Sequence, residues 1–272
     1  MSWTAATLVT DGGEVLLRGL PVADLVAAAL AVDADSRPEY TAFLHLRGDR
    51  ETFEAARSLC ADADPVRREL GADILGQLGA VTLTAQGAAV AVPREQRPFR
   101  TPAGTLLLEL AATETDAGVR AAIAVAFGHL ADPRAVATLG AWRTHPDAEV
   151  RRSVAIALAP LAGADDDALR YLVALTADPD AGVRDWSCFG LYQAGRDTAQ
   201  VREALLARVG DDDAVTRAEA LRALAGFGEP RAVQPLVDAL ATAPETDEVA
   251  GLLAEALSLL ADRTGDPRLT GP

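Results

Sequence analysis

The residue types that could do chemistry are few. The 272-residue chain has three histidines, His45, His129 and His145, and two cysteines, Cys60 and Cys188. None of the histidines is followed by Glu, no Cys-x-x-Cys occurs, and no Gly-rich phosphate loop follows a strand. This predicts no metal, no cofactor and no catalytic residue that can be named. Both cysteines fall in apolar, helical stretches, where a thiol packs as a small hydrophobe, and their isolation suits a reducing cytoplasm. What does recur is a carboxylate four residues ahead of an arginine: Asp116 and Arg120, Asp147 and Arg151, Asp180 and Arg184, Asp213 and Arg217. Repetition in tandem argues for structure over catalysis. Each Asp can cap a following helix, and each Arg, one turn in, can reach the next copy, so that an Asp–Arg ladder fixes the stacking.

Those pairs belong to a longer unit. Asp180 to Gly195 reads D-A-G-V-R-D-W-S-C-F-G-L-Y-Q-A-G, and close copies start at Asp116, Asp147 and Asp213. The arginines are 31, 33 and 33 residues apart, a fixed period that marks stacked helical repeats. Fainter copies are in phase around Arg37 and Arg68. A last one near the C-terminal end puts Thr246 and Ala250 in the Asp and Arg slots. About seven helix pairs result, degenerate at the ends, where a terminal repeat lacks a neighbour. The apolar residue seven beyond the Arg slot (Leu75, Phe127, Leu158, Leu191, Leu224, Leu257) is expected in the core.

Composition agrees with packed helices. Half of the residues are apolar but only 4% are aromatic, and all 25 cations are arginine. A net charge of −15 argues against a nucleic-acid backbone or an anionic membrane as partner. No start resembles a signal peptide, and no run approaches the roughly twenty apolar residues of a membrane span. A monomeric cytoplasmic protein is the expectation.

In chain order, residues 1–20 form an arm in which Leu8-Val9-Thr10, Asp11-Gly12-Gly13 and Val15-Leu16-Leu17 read either as a small hairpin with a D-G turn or as an irregular segment. Repeats cover 21–262. They are interrupted at about 81–100 by a loop or small hairpin that turns Pro- and Arg-rich and is locally basic. Residues 263–272 read as a flexible tail. First helices are expected at about 105–112, 133–143, 166–176, 198–209 and 230–241, and second helices at about 117–130, 148–161, 182–194, 215–227 and 247–261.

The unit D-x-x-V-R-x-x-A-x-x-A-L, preceded by starts such as Asp132-Pro133-Arg134-Ala135-Val136 and Glu229-Pro230-Arg231-Ala232-Val233, resembles the short bacterial HEAT repeat, the type also found in phycobilisome lyases. The resemblance covers most of Pro21 to Asp262. It implies an all-α, right-handed α-solenoid, a superhelix whose second helices line the concave side, and it fixes no one activity. HEAT-repeat di-iron hydroxylases use His-Glu pairs, which this chain lacks. HEAT-like DNA glycosylases use Trp and Asp, which invites comparison with Trp142, Asp147 and Trp186. Bilin-lyase kinship would want a reactive thiol, for which Cys188 is placed as a core residue instead. An enzyme of the bilin-lyase or DNA glycosylase kind therefore stands as the alternative to a protein-interaction scaffold.

The scaffold reading names a surface. Counting each second helix from its Arg as zero, positions 2, 5, 8 and 9 point away from the core. Position 5 runs Asp73, Val125, Ile156, Phe189, Arg222, Glu255, and position 2 includes Trp186. Positions 8 and 9 add Tyr192, His129 and Gln193. The outward face is apolar and aromatic in the middle repeats and charged on both sides, the profile of a partner patch. Trp186 and Phe189 are the expected anchors, with Ile156, Val125, His129, Tyr192 and Gln193 around them. The partner would be a protein, and the acidic charge suits a basic one, with this chain as its acidic antagonist.

Overall fold

The computed structural model describes residues 8–10, 13–15, 20–33, 36–83, 89–242 and 246–269. The chain divides into two compact units, residues 1–132 and 133–272.

In the first unit β1 (Leu8–Thr10) pairs antiparallel with β2 (Gly13–Val15), Leu8 opposite Val15. The hairpin is therefore the form taken, with its second strand starting earlier than the sequence pattern suggested. Asp11, Gly12, Leu16 and Leu17 lie outside the described residues. Helices α1 (Val22–Ala31), α2 (Arg37–Arg47), α3 (Arg50–Cys60) and α4 (Pro65–Gln77) follow. The insertion is a second antiparallel hairpin, β3 (Val81–Leu83) with β4 (Ala89–Ala91), and a 3-10 turn at Arg94–Gln96. Then come α5 (Arg100–Thr113) and α6 (Ala117–Leu130). Helix α6 packs directly on α4: a Cβ added at Gly76 would lie 2.7 Å from the Cα of Ala126, so only glycine lets the two backbones approach this closely.

The second unit is four helix pairs: α7 (Val136–Trp142) and α8 (Ala148–Ala162), α9 (Asp166–Leu175) and α10 (Ala181–Ala194), α11 (Ala199–Leu206) and α12 (Ala214–Gly226), α13 (Val233–Ala241) and α14 (Asp247–Thr264). Pro133–Ala135 and Pro230–Ala232 are 3-10 turns that lead into α7 and α13. Consecutive second helices pack on one another, α8 on α10, α10 on α12 and α12 on α14. The residues seven past the Arg slot are buried at Leu75, Phe127, Leu158, Leu191 and Leu224. Leu257 is only half-buried, with no second helix after α14 among the described residues to cover it. Truncating one of the buried five to Ala removes about 2–5 kcal/mol.

The recurring Asp and Arg take separate partners, which corrects the expected ladder. Asp116, Asp147, Asp180 and Asp213 each accept a backbone N–H of their own helix, from Val119 (3.0 Å), Glu149 (2.8 Å), Val183 (3.1 Å) and Thr216 (2.7 Å). Their carboxylates are used as caps. The arginines reach instead to the acid two residues ahead of the next cap. Arg68 binds Glu114 (2.8 and 3.1 Å), Arg151 binds Asp178 (2.8 Å, both contacts), and Arg184 binds Asp211 (2.8 and 2.6 Å). Each is a two-point guanidinium–carboxylate contact, which fixes geometry as well as charge. Arg120 donates to the carbonyl of Glu114 and Arg217 to that of Asp211, each within its own loop.

Of the C-terminal segment expected as a tail, residues 263–269 are described. Helix α14 runs to Thr264, Leu269 is buried, and Arg268 donates to Gln234 of α13 at 3.2 Å. No helix of the described residues is long and apolar enough to cross a membrane.

Candidate protein-docking face

Trp186, Phe189, Tyr192 and Gln193 sit three, three and one residues apart on α10, a spacing that puts the first three along one helix face. Trp186 and Phe189 are half-buried and meet edge to face, with ring centroids 5.4 Å apart and planes at 82°. The neighbouring helix supplies what surrounds them. The guanidinium carbon of Arg222 lies 4.5 Å from the ring centre of Tyr192 and 5.5 Å from that of Phe189. Tyr192 can lie flat there because residue 226 is glycine: a Cβ at that position would come within 2.7 Å of the Tyr192 ring.

Carboxylates hold the arginine in place. Glu219, one turn earlier on α12, accepts from Arg222 Nε at 3.0 Å and Nη2 at 2.5 Å. Glu255 of α14 accepts from Arg222 Nη1 at 3.3 Å and from the Tyr192 hydroxyl at 3.2 Å. Phe189, Arg222 and Glu255 occupy one slot in three successive repeats, so the repeat itself stacks them. The sequence pattern set Arg222 and Glu255 aside as a charged flank. The structure shows Arg222 buried against the rings, at 9% exposure, and the signal for this was the repeat period together with the Glu219–Arg222 spacing of three.

The face is acidic and strained electrostatically. Burial pushes Glu219 up to about 7, with Asp185 and Glu255 adding to the effect against Arg222. Burial likewise pushes Asp185 up to about 6, with Asp213 and Glu248 contributing. Arg222 thus acts on both Glu219 and Asp185, against the neighbouring carboxylates Glu255, Asp213 and Glu248.

The remaining expected residues are placed as follows. Ile156 is half-buried on α8 and Gln193 exposed on α10, both in the second unit. Val125 is half-buried and His129 exposed on α6, in the first. Trp142 is buried in α7 and the Asp147 carboxylate caps α8, so these two are committed elsewhere than to a site with Trp186. Cys188 is fully buried and its thiol is pushed well up by that burial; the Cys60 thiol is pushed up to about 12 for the same reason. Neither is a ready thiolate. Of the histidines, His45 is buried with Nε2 3.6 Å from Asp73 Oδ2, and His145 Nδ1 accepts the backbone N–H of Asp147 at 3.2 Å. Among the described residues no group of three or more His, Cys, Asp or Glu is placed to hold a metal ion.

Comparison with known proteins bears on the fold. The profile of HEAT repeats matches residues 104–192 and 174–258, together more than half of the chain. Protein YibA of Escherichia coli K12 is 25% identical over 227 residues, covering 81% of this chain and 74% of YibA. The X-ray structure of E. coli YibA superposes with a TM-score of 0.68 at 22% identity, over 93% of this chain and 86% of that one. A HEAT-like repeats protein from the archaeon Thermococcus onnurineus NA1 superposes with a TM-score of 0.50 at 14% identity, over 90% and 98% of the two chains. The two structures show a shared all-α, repeat-solenoid fold.

Proposed function

The chain belongs to the HEAT-repeat family, and from that premise we propose that it is a protein-interaction scaffold that docks a basic segment of a protein partner on the face carrying Trp186 and Phe189. The observation that carries the reading is the half-exposed aromatic pair bordered by Arg222, Glu219 and Glu255. The same helical slots hold charged residues in outer repeats, so stacking does not by itself require rings there. Aromatic anchors in a polar rim are the usual makeup of an interface centre. A net charge of −15 would steer a cationic partner toward the molecule and repel nucleic acid and anionic membranes. The free cysteines Cys60 and Cys188 fit a cytoplasmic monomer.

The test is a double assay on Phe189→Ala and Trp186→Ala, with melting and partner affinity measured on the same samples after capture of the partner from native extract. We expect Phe189→Ala to melt within a few degrees of wild type and to bind about tenfold or more weakly, the loss typical of a truncated interface aromatic. Trp186 borders the seam with the next repeat and should show a mixed effect. Variants that melt far lower yet bind normally when cooled would make the pair core and move the docking face elsewhere.

A further inference from the structure

In this acidic chain one short segment is basic, and its arginines bind backbone carbonyls. Residues 94–100 read R-E-Q-R-P-F-R. Arg94 Nε and Arg97 Nη1 donate to the carbonyl of His129 at 3.2 and 3.3 Å. Arg100 Nε and Nη2 donate to the carbonyls of Leu130 and Ala131 at 2.8 and 2.9 Å, and Arg97 Nε to that of Val92 at 3.1 Å. All these acceptors are neutral backbone oxygens, so the three positive charges are left standing. Elsewhere Arg68, Arg151, Arg184, Arg202, Arg222 and Arg231 each meet one or two carboxylates.

The geometry leaves donors over. Arg94 Nη1 and Nη2 and Arg97 Nη2 meet no acceptor among the described residues, and Arg94 is exposed. Their crowding registers on Arg97, which burial and then the neighbouring charges of Arg94 and Arg100 hold below the ordinary arginine range. Glu95 acts on it in the opposite sense. The exposed His129 stands on the same last turn of α6, and α5 starts here on Phe99 without a side-chain cap.

We propose that Arg94 and Arg97 form a docking site for an acidic segment of a protein partner, a run of Asp or Glu whose carboxylates bridge the two guanidinium groups. Planar guanidiniums with paired N–H donors match carboxylates in two-point contacts. An exposed cluster leaves a single small anion well solvated, whereas an extended acidic segment can engage several donors at once. A nucleic acid is disfavoured because a long polyanion would run off the patch onto a surface of net charge −15. Arg100, half-buried and bound to two carbonyls, positions the segment on α6 and does not itself need to touch the ligand. This site is independent of the aromatic face in sequence, in unit and in the sign of its charge.

The experiment is a low-salt titration of the full chain with a fluorescent tetra-glutamate peptide, alongside inorganic phosphate and a ten-nucleotide single-stranded DNA. We expect the peptide to bind, with affinity falling steeply as salt rises. Arg94→Gln/Arg97→Gln should weaken it about tenfold with an unchanged helical spectrum, and Glu95→Gln should tighten it about threefold, the scale of exposed charge pairs. Peptide affinity that ignores both variants overturns the site. A peptide no tighter than phosphate overturns the acidic segment in favour of a small anion. DNA that binds as well as the peptide overturns it in favour of nucleic acid.

Discussion

At the scale of single residues, the Asp and Arg of the repeat do two jobs that the sequence pattern merged into one. Their recurrence was legible, and so was the capping role of Asp180. The partner of Arg184 was not, because the loops are rich in acids and Asp178 and Asp180, or Asp211 and Asp213, are equally available on paper. Only the fold decides that the side chain two residues earlier faces the preceding arginine. A double-mutant cycle separates the jobs. Arg184→Ala removes the two-point contact to Asp211, whose side chain is 3% exposed and keeps Arg208 and the N–H of Asp213, and should cost about 1.5–3 kcal/mol of unfolding free energy. Asp180→Ala should cost about 1 kcal/mol. Coupling should exceed about 1 kcal/mol for Arg184 with Asp211 and stay under about 0.5 kcal/mol for Arg184 with Asp180, as for sites without a shared partner.

Glu219 allows a second prediction at this scale. Its folded value is about 7 against an ordinary 4.5, raised by burial. Below pH 4.5 folded and unfolded chains both hold the proton; between 4.5 and 7 only the folded chain does. The contribution of this group to stability therefore falls as pH rises through that window and is flat above it. Glu219→Gln, which keeps the shape of the protonated form, should gain on wild type across the window by roughly 1–3 kcal/mol. Urea unfolding at several pH values reads this directly, and a difference that stays constant with pH would show that Glu219 titrates normally.

At the scale of elements, helices with strong caps and period were read to within a residue or two, as at α6, α8 and α10. The start of α5 was not, since Arg100 was grouped with the Pro- and Arg-rich insertion and the helix placed from Thr105. No side-chain cap marks the start, and the arginines are explained only by α6, whose last carbonyls they bind. The insertion accordingly has two parts. Strand β4 is exposed, and replacing residues 84–88 with a short Gly/Ser linker should leave helical circular dichroism and cooperative unfolding unchanged. Arg100 closes the end of α6, where Ala131 adopts a left-handed φ of 45° without being glycine. Arg100→Ala should therefore lower stability by about 1–3 kcal/mol, the cost of leaving partly buried carbonyls unpaired. A melt equal to wild type would make the insertion a surface excursion throughout.

At the scale of the whole molecule, the repeat period carried the fold, because each helix pair can bury its apolar face only against the next. The docking face was legible in part: the aromatic slots of α10 could be listed from the pattern, but the burial of Arg222 between Phe189, Tyr192 and two carboxylates needed the helices side by side. What composition does set is the global charge. With 40 acids against 25 arginines the net charge is −15, and the compact chain repels itself at neutral pH. Added salt screens that repulsion over about 10 Å at 0.1 M and less at higher concentration. It also weakens the attractive pairs, but those that matter most, Arg151–Asp178 and Arg184–Asp211, are largely shielded from solvent and hydrogen-bonded, so salt reaches them least. Repulsion among exposed carboxylates should thus be lost faster than attraction. The melting temperature at pH 7.5 should rise by a few degrees between about 10 mM and 300 mM sodium chloride, the opposite of a fold held by surface ion pairs. A melting temperature that falls over this range would mean that exposed pairs such as Arg152–Glu149 and Arg170–Asp167 contribute more to the fold than the net charge takes away.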